Sequence, residues 1–283
     1  MKKLLAIIMT LMLIVSAVGA QDDIDEIARY SVSEGGELTL ISGDADELHE
    51  DLWILLIVLL PTDYVERYIV EYSVFDSEDT FAYVGELEED RWEFGISVND
   101  DPERALTIIH EFGHIVSLNN TQYDTYSTII SDNEDPLTDD EYFDGLEEDI
   151  EACPTIAFED GCAITGSYIE LFTEEFWTEE AVEQIVYMEL DDPAAVFFDE
   201  NPDAFVTEYA ATNPIEDFAE SFSYFIGLDE EDFPFDDTYE MDAKILWFEQ
   251  FPELVDMRES IRGNAAANGI TFEFSEDSNY FYD

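Results

Sequence analysis

The chain has 283 residues, of which 72 are Asp or Glu and 9 are Lys or Arg, giving a formal net charge of −63. Such a surface repels phosphate and argues against nucleic acid and anionic membranes as partners. The hydrophobic share of 46% excludes disorder throughout and can build one large domain or two small lobes around a cleft. Self-repulsion of this size is strong in fresh water and screened by salt. Beyond residue 3 the only lysine is Lys244. The composition therefore suits a halophilic protein, exported into brine or another ion-rich medium.

Met1-Lys2-Lys3, an apolar run from Leu4 to Val15 and the small residues Val18-Gly19-Ala20 read as a Sec signal peptide over residues 1–20. The run is shorter than the ~20 residues that span a bilayer. The expectation is a secreted, extracellular protein with no membrane span once the signal is removed. Residues 21–44 read as an acidic lead-in with a short strand at 37–42. Helices are expected over 44–60, ended by Pro61, and over 64–75. Strands are expected over 80–85 and 92–98. Asp101 and Pro102 then read as cap and first residue of a helix over 103–118, whose buried stripe holds Leu106, Ile109, Gly113 and Val116.

Residues 121–150 are acidic and turn-rich, a surface excursion. Cys153 and Cys162 lie close enough to read as one local disulfide in an exported protein. Their spacing is not that of a zinc knuckle. Further helices are expected over 164–177, 214–226 and 241–262, with a turn-rich passage over 191–203. The main domain is placed at 45–266, with a loosely held acidic, aromatic tail over 267–283.

His110-Glu111-Phe112-Gly113-His114 is an HExxH motif. On a helix, residues four apart share a face, so both imidazoles can meet one ion, and neutral imidazole nitrogen suits Zn²⁺. Glu111 projects beside them, where its carboxylate can take a proton from an activated water. The extended pattern HExxHxxGxxH would need Gly at 117 and His at 120, but the chain has Ser117 and Asn120. The third histidine, His49, reads as a surface or structural residue. A third ligand must then be a carboxylate, and composition alone cannot choose it.

Residues 205–222 narrow the choice. Asn213 can cap a helix that begins at Pro214, with Ile215, Phe218, Phe222 and Phe225 as its apolar stripe. Glu216 and Glu220 share a different face. One can bind zinc while the other orients a histidine. Glu216 also fits a capping box with Asn213, and Glu220 fits a solvated charge, so the residues alone leave both open.

The stretch from Tyr209 to Phe222, with HEFGH upstream, resembles the lethal-factor-like zinc metallopeptidases. That family takes in the anthrax lethal factor catalytic domain and the Pro-Pro endopeptidases. A group of exported bacterial zinc-binding peptidases is similar over about residues 45–262. The resemblance implies Glu216 as third zinc ligand, Tyr209 as a hydroxyl that steadies the oxyanion, and Glu220 behind a ligand. It implies an α+β, helix-dominated, zincin-like fold with a small twisted sheet and a helical lower lobe. The strand over 92–98 is expected to pair with an extended peptide or protein substrate, and the acidic surface to favour a cationic one. The rival expectation is an exported acidic cation-binding or surface-layer-type protein, with Ca²⁺ on stretches such as 132–141.

Overall fold

The computed structural model describes residues 24–88, 90–129, 138–158, 160–178, 193–274, 278 and 280. The signal-peptide expectation lies outside them. The fold is α+β, with helices outweighing a small mixed sheet of five strands. No helix among the described residues is long and apolar enough to cross a membrane.

The stretch expected as a lead-in supplies two strands of that sheet: β2 (Leu38–Gly43) is the strand expected at 37–42, and β1 (Asp25–Val32) is an addition to that expectation. The alternating charges of β1 disguise its inward face, which carries Ala28 and Tyr30. Tyr30 stacks on Tyr72, and its hydroxyl lies 2.8 Å from His49 Nδ1. His49, 3% exposed on helix α1 (Glu47–Leu59), is thus a structural histidine within the core. Gly43 closes β2 at φ +80, where a Cβ would lie 2.0 Å from the Ile27 carbonyl.

The helix expected over 64–75 is corrected. Helix α2 (Thr62–Tyr68) stops and the chain continues as strand β3 (Ile69–Asp76). Tyr72, Ser73, Val74 and Phe75 are all fully buried. A strand covered on both faces has no alternation, so its sequence resembles a buried helix. β3 pairs antiparallel with β1 and parallel with β5 (Arg91–Ser97), which pairs antiparallel with β4 (Ala82–Glu88). The order β2-β1-β3-β5-β4 puts β4 at the edge. The strand expected to meet substrate, β5, is interior, because its apolar residues need neighbours on both sides.

Helix α3 (Arg104–Leu118) follows β5. Pro102 stays outside it. Asp101 still serves the start, accepting from Glu103 N and Thr107 Oγ1 at 2.9 Å each. Arg104 ties that start to the end of β5 by donating to the Ser97 carbonyl at 2.8 Å and to the Asn99 carbonyl.

The expected surface excursion holds order too. Strand β6 (Tyr123–Thr125) pairs with β7 (Gly161–Ala163), and helix α4 (Asp139–Ala152) lies between them in sequence. A Thr138–Glu141 capping box opens α4. Cys153 and Cys162 form the expected disulfide, with Cα atoms 5.7 Å apart. A small core of Tyr126, Leu146, Ile150 and Ala157 packs around it.

Helix α5 (Tyr168–Phe176) is followed by α6 (Pro193–Glu200), which falls in the passage expected as turns. Helix α7 (Pro214–Gly227) opens as the sequence predicts, with Asn213 Oδ1 accepting from Ile215 N at 2.9 Å and Glu216 N at 3.0 Å. The expected last helix is two, α8 (Glu240–Trp247) and α9 (Pro252–Asn268). Pro252 cannot donate to a preceding turn, so the chain restarts there. Beyond α9, Ile270, Phe272 and Phe274 pack on the core, so this part of the tail is held rather than loose.

Candidate metal centre

α3 and α7 cross at close range, and the crossing assembles the site. A Cβ at Gly113 would lie 3.1 Å from the Ala219 backbone, so the small residue inside HEFGH sets how near α7 can come. His110 and His114 lie one turn apart on α3, with their Nε2 atoms 3.1 Å from each other. Glu216, in the first turn of α7, places Oε2 at 3.2 Å from His110 Nε2 and 3.3 Å from His114 Nε2. All three side chains are buried.

Glu216 Oε2 is buried without a hydrogen-bond partner of proper geometry, close as it is to both rings. Three donor atoms therefore aim at a common point rather than at each other. A tetrahedral ion with bonds of about 2.0–2.1 Å requires donors about 3.3 Å apart. The three observed separations match that triangle to within a few tenths of an ångström. The group fits a metal ion, and two imidazoles with one carboxylate suit zinc. Among the described residues no other group of three or more His, Cys, Asp or Glu converges this way.

The two carboxylates beside the histidines are driven apart. Burial raises the Glu111 carboxyl above the ordinary glutamate value, with His110 and His114 only partly opposing it, so Glu111 holds a proton readily. Burial pushes Glu216 the same way, but the two imidazoles outweigh it and hold Glu216 well below the usual carboxylate range. Separated proton affinities at one site suit one group to proton transfer and the other to ligation. Glu111 also receives a backbone hydrogen bond from Val84 on the edge strand β4.

Glu220 lies behind His110, with Oε1 at 2.7 Å from Nδ1. Thr207, which the sequence reading did not single out, donates to Glu220 Oε2 at 2.6 Å. Tyr209 begins a 3₁₀ turn (Tyr209–Thr212) and sets its ring 5.7 Å from that of His110. The residue is 53% exposed, yet its hydroxyl end meets Glu216. Burial there and the charges of Glu216, Glu111 and Glu220 raise the hydroxyl well above the ordinary tyrosine value, keeping it protonated as a donor. Of the stretch proposed for calcium, residues 132–137 lie outside the described residues, and Glu141 is engaged in the α4 cap.

No family model, curated protein or solved structure matches this chain.

Proposed function

We propose that this chain is a secreted zinc-dependent peptidase of the lethal-factor-like kind. The observation that carries the reading is the convergence of His110, His114 and Glu216 on one point with Glu111 beside them. His110, His114 and Glu216 would hold Zn²⁺, which when bound lowers the pKa of a water and polarises a peptide carbonyl.

Glu111 takes a proton from the attacking water as its oxygen bonds to the carbonyl carbon. The Tyr209 hydroxyl donates to the carbonyl oxygen as that oxygen becomes anionic. Glu111 then delivers the proton to the leaving nitrogen as the carbon–nitrogen bond breaks. Glu220 holds the His110 ring throughout. β4, which has no strand beyond it among the described residues and gives a backbone bond to Glu111, suits pairing with an extended peptide. The carboxylate excess favours cationic peptides, an attraction that salt blunts. The disulfide supports an oxidising, extracellular setting.

The test is Glu111→Gln. The variant should bind zinc stoichiometrically and cleave a peptide library, read by mass spectrometry, at least 100-fold more slowly than the wild type, on the order expected for a lost general base. Cleavage at the wild-type rate would sink the reading.

A further inference from the structure

We propose that Thr207 is a positioning residue whose single hydroxyl ties the orientation of His110 to the placement of Tyr209. The Thr207 hydroxyl donates to Glu220 Oε2 at 2.6 Å, and its oxygen accepts from Ala210 N at 3.1 Å. Both directions are fixed by chemistry, since a carboxylate only accepts and a backbone N–H only donates. Glu220 uses its other oxygen on His110 Nδ1 at 2.7 Å. A continuous line thus runs from Ala210 N–H through Thr207 and Glu220 to the imidazole.

Its two ends sit in different halves of the site. Ala210 is fully buried in the 3₁₀ turn that carries Tyr209, so fixing its N–H fixes the start of that turn. At the other end, a proton on His110 Nδ1 shared with Glu220 leaves Nε2 free to face His114 and Glu216. His114 Nδ1 has no hydrogen-bond partner among the described residues, so hydrogen bonding orients the pair of rings from the His110 side. A methyl in place of the hydroxyl would fill the same volume and cut the line at its middle.

The catalytic part of this inference rests on the peptidase reading, and the metal and tyrosine parts do not. The experiment compares wild type, Thr207→Val and Thr207→Ser, with Thr207→Ala as a second deletion should the valine variant not fold. Zn²⁺ affinity is measured by chelator competition. The Tyr209 position is read in the Co²⁺-loaded protein by fluorine NMR of fluorotyrosine-labelled chain, its shifted signal assigned with Tyr209→Phe.

Thr207→Val should lose about 10- to 100-fold in Zn²⁺ affinity, the usual effect of removing a partner behind a ligand, and should move or broaden the Tyr209 signal. Thr207→Ser should restore both. At saturating zinc, kcat should fall in Thr207→Val with KM unchanged. A folded Thr207→Val with wild-type Zn²⁺ affinity overturns the proposal, as does an unmoved Tyr209 signal. If affinity and signal change as expected while the wild type cleaves no peptide, the tie stands and the peptidase reading falls.

Discussion

Lys244, the only lysine beyond residue 3, is buried at 1% exposure, and its partner Asp217 at 0%. Nζ lies 2.7 Å from Asp217 Oδ2, donates to the Ala204 carbonyl at 2.7 Å and sits 3.9 Å from the centre of the Phe205 ring. Asp217 also accepts from Trp177 Nε1 at 2.8 Å. It adjoins Glu216, so this pair holds α7 against α8 from beside the candidate site. Lys244→Met keeps the aliphatic bulk and removes the cation.

Removal of one partner from a buried ion pair leaves an uncompensated charge and costs about 3–5 kcal/mol. That is a large share of the roughly 5–15 kcal/mol that hold a domain folded. Adding Asp217→Asn removes the orphaned charge while leaving Trp177 an acceptor, so the double variant should recover most of the loss.

The pH dependence has a definite sign. Burial already raises the Asp217 carboxyl above the ordinary aspartate value, with Lys244, Trp177 and Ser221 opposing. Without the lysine, the folded form takes up a proton more readily than the unfolded chain. Stability then falls as pH rises through the folded value, so the deficit of Lys244→Met should narrow as pH is lowered towards that range. Urea unfolding at fixed salt and zinc measures this through the midpoint at constant slope. A Lys244→Met protein within about 1 kcal/mol of wild type, or a double variant no more stable than the single, would refute the reasoning, since a buried pair broken on one side has no cheap way to solvate what is left.

Two further outcomes concern the site and the charge. On the peptidase reading, Tyr209→Phe keeps the ring beside that of His110 and removes the hydroxyl, so kcat at saturating zinc should fall by about 10²–10³, the cost of one oxyanion donor, with zinc still bound stoichiometrically. With a net charge of −63, the urea midpoint should rise as sodium chloride is raised from about 0.1 M to 1 M, where the screening length shrinks from about 10 Å to 3 Å. A midpoint independent of salt would show that the carboxylates are not a net burden on the fold.

The parts of this fold that the sequence displays are those governed by local chemistry. Asn213-Pro214 opens α7 because a cap and a proline act within one turn, and Cys153 with Cys162 closes a short loop for the same reason. β1 and β3 were hidden because their character depends on partners far along the chain. Glu26 and Arg29 look like solvated lead-in charges, yet Arg29 reaches Glu71 and Glu93 at 3.1 Å across the sheet. The apolar run of β3 carries no period that separates a doubly covered strand from a buried helix. Acidic residues 139–152 looked like surface turns, although the Thr138 box and Leu146 and Ile150 were legible signs of a capped, one-faced helix.

At the site, the scarcity of histidine against 72 acidic residues explains what could and could not be read. Two of three histidines four apart form a sparse signal, so His110 and His114 stand out, while every carboxylate is hidden among its own kind. Local pattern narrows the choice to Glu216 and Glu220 and the resemblance implies Glu216, and the fold supplies the physical reason, because α7 approaches α3 across Gly113 and turns one Glu216 oxygen towards both imidazoles. Thr207 and Val84 had no pattern to announce them, since each acts through a single bond whose partner is fixed only by tertiary structure. A carboxylate surface that screens itself with salt and a carboxylate site that repels no ligand can coexist because burial distinguishes them. The same charge that is cheap on the outside becomes, beside two imidazoles, a carboxylate held far into its ionised form and fit to ligate.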